Sequence, residues 1–335
     1  MKVLIIGGTG LISTAITRQL VERGDEVTVF NRGQTPARIP EGARILLGDR
    51  KDYPAFEAAM SSETWDAVID MICFHPEDAG SAIRAFQGRA GHFVFCSTVC
   101  VYGGMLSKLP ADENEPRTPT GSYGHNKAAC EDCFMEAHSQ SFPVTIMRPS
   151  HTYGEGGTIV HTLGWKTTYL DRIRKGKPVV VHGDGSGLWA SCHIDDVARG
   201  FVGALGNPKA FGQSYNVTGE AWMTWNEYTQ KVAEALGNEA KITHIPTDLL
   251  GKVAPERAGI TVEIFQYNSI FDNEKAKRDL GFQYTIPWVE GVRRTAAWLD
   301  ANNRIENSDE DPFDDRLIEA WERLTDSLSQ EVNRL

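Results

Sequence analysis

Short apolar runs rich in β-branched residues alternate, through the first half of the chain, with stretches whose apolar positions recur every three to four residues. Runs of the first kind read as buried strands and stretches of the second as helices. Strands are predicted at 3–6, 27–30, 44–47, 67–71, 92–96 and 144–147. Between the first two, residues 11–23 carry helical spacing (Leu11, Ala15, Ile16, Leu20) until Gly24 stops it. Repeated strand and helix units of this kind predict an α/β fold built on a doubly wound parallel sheet. Beyond about Pro149 the alternation fades, with glycine or proline punctuation at 154–157, 183–187 and 246–255. A smaller substrate lobe is expected from these later segments. The expected organisation is therefore 1–150 for the first domain, with later segments returning to it, 151–304 mainly for the lobe, and 305–335 for an acidic tail. In that tail, 305–315 reads as a solvated loop and 316–328 as an amphipathic helix with Leu317, Trp321 and Leu324 on one face.

Composition narrows the partners. The chain has 335 residues and 41% hydrophobic content, enough for one large core or two modest ones. Its formal charge is 34 basic minus 45 acidic, or −11, which works against broad attraction to nucleic acid or an anionic membrane. A small-molecule ligand is the expectation. No apolar run approaches a membrane span, and Met1-Lys2 runs directly into a strand without a cleavage pattern, so a cytoplasmic protein is predicted. The six cysteines are scattered and predict no disulfide framework; Cys130-x-x-Cys133 reads as two packed or partly exposed thiols within a helix.

The junction between the first strand and helix carries the first chemical signal. Gly7-Gly8-Thr9-Gly10 offers a backbone with few Cβ atoms, which can turn tightly and approach phosphates at a helix N-terminus. A dinucleotide site follows, with Gly7, Thr9, Gly10, Leu11 and Ile12 around it. Ser13 stands where the usual fingerprint ends on glycine, and a slight shift of helix packing is expected from it. The second strand ends in Asn31-Arg32-Gly33, without the carboxylate that binds a ribose 2′-hydroxyl. With that repulsion absent and Arg32 available to pair with a phosphate, NADP is favoured over NAD.

Further on, Tyr123-Gly-His-Asn-Lys127 sets a phenol and an ammonium four residues apart, on one face of a helix. The lysine is expected to lower the phenol pKa toward the range of proton exchange with an alcohol or ketone. Upstream, Ser97 and Thr98 offer hydroxyls at the end of a strand, where α/β proteins bind ligands. The glycine turn, Gly48-Asp49, Ser97-Thr98-x-x-Val101-Tyr102-Gly103, Tyr123-x-x-x-Lys127, Arg148-Pro149-x-x-x-Tyr153-Gly154 and His193-Ile-Asp195-Asp196 occur in this order. Together they resemble the extended short-chain dehydrogenases/reductases of the NAD-dependent epimerase/dehydratase superfamily, over nearly the whole chain.

The resemblance implies a Rossmann-like domain and hydride transfer, with Tyr123 as acid/base, Thr98 orienting the reacting oxygen and Lys127 as both pKa modulator and ribose ligand. It places Asp49 at the adenine, with Arg50 beside it, and implies a homodimer through the helix holding Tyr123. Two departures bear on substrate. Relatives that act on sugar nucleotides carry a diphosphate-binding arginine where this chain has Trp189, and an asparagine where it has His151. Those changes argue against a standard sugar nucleotide, although Arg148, Lys166, Arg172, Arg174 and Lys177 remain as sources of positive charge. His151 and Trp189, with Ser97, are the candidate substrate contacts, weighed evenly for the first two against a structural role. The runs 30–33, 48–50 and 183–189 also resemble an atypical branch related to chloroplast stem-loop-binding proteins, some of which act on RNA. The ranking is an NAD(P)-dependent oxidoreductase acting on a hydroxyl or ketone of a carbohydrate-like molecule first, a sugar-nucleotide epimerase or dehydratase with tightly bound NAD second, and an RNA-binding protein third. No metal ligand set is expected.

Overall fold

The computed structural model describes residues 1–34 and 38–334. The chain divides into two units. Met1–Gly154, Ala190–Ala221 and Ile270–Ile286 form the first; Glu155–Trp189, Trp222–Ser269 and Pro287–Leu335 form the second.

The first unit is a seven-stranded parallel sheet. Its strands are β1 (Lys2–Ile6), β2 (Glu26–Asn31), β3 (Arg44–Leu47), β4 (Ala67–Asp70), β5 (Phe93–Cys96), β6 (Val144–Pro149) and β7 (Gln213–Val217), in the spatial order β7-β6-β5-β4-β1-β2-β3. Side chains of β1 alternate between faces, as the strand period of two requires. Val3 and Ile5 enter one core with Ala15, Ile16 and Leu20 of α1 (Leu11–Glu22) and with Val197 and Phe201 of the Ile194–Ala204 helix. Leu4 and Ile6 enter the other, an aromatic core of Phe30, Phe56, Phe86, Phe93 and Phe134 beneath α2 (Tyr53–Met60), α3 (Pro76–Phe86) and α4 (Ser122–Ala137). The strand order reverses beside β1, which opens a crevice at the carboxyl ends of β1 and β4.

The strand β7 lies in the region expected to belong to the lobe. Its sequence, Gln-Ser-Tyr-Asn-Val, has little apolar signal although Tyr215, Asn216 and Val217 are buried, because the buried Asn216 is satisfied by the Tyr102 hydroxyl; among the described residues it pairs with β6 at the sheet edge. Residues 190–221 and 270–286 thus group with the sheet, not with the remainder of 151–304.

The second unit is built on short ribbons and helices. Val179–His182 pairs in parallel with Ile242–Ile245, and Leu188–Trp189 antiparallel with Met223–Thr224. The acidic tail departs from expectation. Its helix runs Phe313–Val332; Ile318 is buried and Leu317 and Trp321 pack beside it, whereas Leu324 is exposed. The preceding segment is pinned rather than loosely solvated: Glu306 accepts from Thr167 N at 3.1 Å, Asp171 from Ser308 N at 2.7 Å, and Asp309 and Asp311 pair with Lys175 and Lys166, each at 2.7 Å. Among the described residues no helix is long and apolar enough to cross a membrane.

Candidate active site

Gly7 follows β1 with φ of +86°, in the left-handed region open to glycine. A Cβ there would lie 2.4 Å from Ile72 Cγ2, and one on Gly8 would lie 2.3 Å from Val29 Cγ1. Only bare backbone fits between these neighbours. Ser13 does more than shift packing, because its hydroxyl donates to Gly7 O at 2.9 Å and Gly10 O at 3.2 Å and so closes the turn from within. Gly10 caps α1, so the unpaired N–H groups of the first helical turn begin at this point.

Two adjoining clefts of about 370 and 360 Å³ meet at this turn and share Gly7, Gly10, Ile72 and Phe74. The first is also lined by Thr9, Asn31, Arg32, Asp49 and Arg50. The second is also lined by Leu11, Ile12, Thr98, Tyr123 and Lys127. In the first cleft, Asn31 Oδ1 accepts from Gly33 N at 2.7 Å, while Asn31 Nδ2 is buried without a hydrogen-bond partner. Arg50 is buried, with its guanidinium 4.2 Å from the Phe56 ring and 3.5 Å from Asp70. Its Nε and Nη1 are also buried without partners. Lys51 is committed to Asp78 at 2.8 and 2.9 Å. These unpaired groups are donors, a set that fits the ribose oxygens or phosphate of a dinucleotide.

In the second cleft Thr98 caps a short 3₁₀ turn, its hydroxyl accepting from Cys100 N at 3.2 Å. Tyr123 is 47% exposed as a residue, and its hydroxyl shares a hydrogen bond with Thr98. Burial, with the two thiols, pushes the phenol well above its ordinary value, and a hydrogen bond with Thr98 opposes this. Lys127 does not lower it. Its ammonium donates to the carbonyls of Cys73 and Cys96 at 2.9 and 2.7 Å and stands 6.0 Å from the Tyr123 ring centroid, above Phe74 and Phe95. The direction is opposite to the expected depression: desolvation is the largest influence on the phenol, and Lys127, directed at two backbone carbonyls, does not offset it.

Ser97 lines this cleft too, yet its hydroxyl donates to Glu131 Oε1 at 2.6 Å. Glu131 is fully buried on α4 and also receives Arg148 Nε and Nη2 at 2.9 and 2.6 Å. Arg148 Nη1 donates on to the Tyr102 hydroxyl at 2.8 Å, and Tyr102 to Asn216 Oδ1 at 2.9 Å. Neither Ser97 nor Arg148 is therefore disposed toward substrate as the sequence suggested. Glu131 was missed, although it follows Tyr123 and Lys127 at the helical spacing of four residues.

His151 and Trp189 differ from the expected contacts as well. The cleft is lined by Ser150 and Thr152, the alternate positions, while His151 Nδ1 meets Ser191 Oγ at 2.8 Å in the ribbon of His151–Tyr153 and Ser191–His193. Burial pulls the His151 pKa down to about 3, so the ring is neutral. Trp189, in the second unit, is 5% exposed and packs on Trp225 and Phe265 with ring centroids 5.2 and 4.8 Å apart. It is a core aromatic. The cations proposed as charge for substrate are also engaged: Lys166 with Asp311, Arg172 with Asp315 and Arg174 with Asp300, each at 2.7 Å, and Lys177 with Asp309 at 2.6 Å.

The family profile described as NAD dependent epimerase/dehydratase matches residues 3–86 and 78–218. The 2′-dehydrokanamycin reductase of Streptomyces kanamyceticus is 27% identical over 306 residues, covering 91% of this chain and 86% of that one. A chloroplast stem-loop binding protein of 41 kDa from Arabidopsis thaliana is 28% identical over 309 residues, covering 87% and 77%. Among solved structures, epimerase Mth375 from Methanothermobacter thermautotrophicus superposes with a TM-score of 0.74 at 20% identity, covering 90% of this chain and 92% of that one. A dTDP-glucose 4,6-dehydratase from Bacillus anthracis, solved in complex with NAD, superposes with a TM-score of 0.72 at 17% identity, covering 90% and 97%. The glycine turn, the paired clefts and the profile match over most of the sheet agree: this chain is an enzyme of the NAD dependent epimerase/dehydratase family.

Proposed function

We propose that the protein is an NADP-preferring oxidoreductase that transfers hydride at a hydroxyl or ketone of a carbohydrate-like substrate bearing no nucleotide, with Tyr123 as the acid/base. The observation that carries this reading is the convergence of Thr98, Tyr123 and Lys127 on one cleft beside the glycine turn. A nicotinamide dinucleotide, when bound, would supply the hydride. The chain's own groups bind, orient and move the proton. Gly7, Thr9, Gly10, Leu11 and Ile12 receive the pyrophosphate region, Asn31, Arg32, Asp49 and Arg50 the adenosine end, and Lys127 the ribose beside the ring. Thr98 holds the reacting oxygen next to the Tyr123 hydroxyl. Because burial keeps that phenol protonated at neutral pH, it serves in ketone reduction as the proton donor.

Support for NADP comes from a second-strand end that carries Asn31 and Arg32 in place of a carboxylate, together with the unpaired donors of Asn31 and Arg50. Support for a substrate without a diphosphate comes from the burial of Trp189 among aromatics and from the carboxylates that engage Lys166, Arg172, Arg174 and Lys177. The relative named 2′-dehydrokanamycin reductase is in keeping with an oxidised sugar as acceptor. Net charge of −11 counts against RNA as the ligand. A cytoplasmic homodimer assembled through α4 completes the reading. The test is NADPH oxidation with oxo-sugars that lack a nucleotide, set against UDP- and dTDP-sugars. Turnover of the former alone is expected; turnover of nucleotide sugars without net cofactor oxidation would replace this reading with an epimerase or dehydratase.

A further inference from the structure

Five serine and threonine residues line the cleft that holds Tyr123: Ser13, Ser97, Thr98, Ser150 and Thr152. Four hydroxyls are engaged. Ser13 donates to the glycine turn, Ser97 to Glu131 and Thr152 to Ser150 O at 2.9 Å, while Thr98 accepts from Cys100 N and shares a hydrogen bond with Tyr123. Ser150 alone differs. It is 9% exposed, and its Oγ is buried with no hydrogen-bond partner. A buried hydroxyl left unpaired carries a desolvation penalty, so a group of this kind at a ligand cleft calls for a partner that arrives with the ligand.

The local backbone explains how it is presented. Ser150 is the single residue between β6, which ends at Pro149, and the His151–Tyr153 strand that pairs with Ser191–His193. Its carbonyl is fixed by the Thr152 hydroxyl, so the backbone is pinned while the side chain can turn about one bond. The surrounding wall is apolar, with Leu11, Ile12, Ile72, Phe74 and Pro149. A flat heteroaromatic ring with one polar substituent suits such a wall: the ring lies on the apolar residues and the substituent needs a hydrogen-bond partner.

We propose that the Ser150 hydroxyl hydrogen-bonds the carboxamide of the nicotinamide ring and so selects and orients the ring end of the cofactor. This rests on the assignment of the two clefts to a nicotinamide dinucleotide. The amide oxygen accepts from the serine O–H, and the adenosine end of the same cofactor makes no contact with this residue.

The test compares two ligands on one protein, by calorimetric titration of wild type, Ser150→Ala and Ser150→Thr with NADP⁺ and with 2′-phospho-ADP-ribose, which lacks the nicotinamide. Ser150→Ala is expected to weaken NADP⁺ by roughly 3- to 10-fold, the worth of one hydrogen bond, and to leave 2′-phospho-ADP-ribose unchanged. Ser150→Thr keeps the hydroxyl and is expected to restore most of the NADP⁺ affinity. The melting temperature of Ser150→Ala without cofactor should be no lower than wild type, since the hydroxyl removed has no partner. An equal loss for both ligands, or no loss for NADP⁺, overturns the role of Ser150 while leaving the cofactor reading intact. If wild type takes neither ligand, NAD⁺ and ADP-ribose repeat the comparison, and failure of all four overturns the cofactor reading itself.

Discussion

Tyr123 and Lys127 sit four residues apart on α4, yet their polar groups are held by different partners. The lysine is bonded to two carbonyls, and the phenol is raised by burial. Tyr123→Phe should therefore lower turnover by roughly 10²- to 10⁴-fold while leaving the NADP⁺ dissociation constant unchanged; equal loss of both would make Tyr123 a binding residue only. The sign of the pH dependence follows. Below the ordinary phenol value of 10.0 the raised group keeps its proton, so ketone reduction should show no tyrosine ionisation between neutral pH and about 10. Arg32→Ala should weaken NADP⁺ but not NAD⁺, and an unchanged ratio would mean that Arg32 does not pair with the 2′-phosphate. Thr98, Tyr123 and Lys127 could be singled out because they stand in motifs that resemble a family when read together, and the structure brings all three to one cleft. The orientations of His151 and Ser97 were not legible, since which way a side chain turns at a strand end depends on partners distant in sequence, Ser191 and Glu131.

The elements that place these residues were mostly readable. The six strands proposed for the first half appear within a residue or two of their expected bounds, because each is an apolar run; five are buried along most of their length, while β3 is an apolar run at an edge with Ile45 and Leu47 exposed. The edge strand β7 was missed for the converse reason: Ser214 and Asn216 interrupt its apolar pattern. Glu131 illustrates what periodicity alone leaves hidden. It is a buried carboxylate whose partners include Ser97, just after β5, Arg148 of β6 and Arg117, and it ties α4 to the sheet. Removing one member of a buried ion pair leaves the other uncompensated, so Glu131→Ala should cost about 3–5 kcal/mol of stability in urea denaturation. A cost below about 1 kcal/mol would mean that Arg148 finds water or another acceptor.

Across the whole chain, two units have cores of their own, with the paired clefts in the first and a dense set of ion pairs in the second. The acidic tail read as a solvated loop because charge density alone cannot reveal that its carboxylates meet cations 130 or more residues earlier, as Asp309 meets Lys175. Hydrogen bonds from Lys175 and Lys177 hold the Asp309 pKa at about 2; Asp311, pushed up by its partial burial, is brought down to about 2 by Lys166 and Arg257. Depressed carboxylate pKa values stabilise above the unfolded value of 3.8 and lose that contribution as pH falls toward 2. Amide exchange at Ser308 and Asp309 should accordingly accelerate between about pH 4 and 2, ahead of the β1 and β4 amides; simultaneous loss would tie the tail to global unfolding instead. Whether the cofactor is exchanged or retained is decided by denaturing freshly purified protein and identifying, per chain, the dinucleotide released. A weakly occupied site that afterwards takes up NADP(H) more tightly than NAD(H) is the predicted result, that of an oxidoreductase exchanging its cofactor in every turnover. Near-stoichiometric NAD would contradict it and identify an enzyme that recycles a retained cofactor within each catalytic cycle.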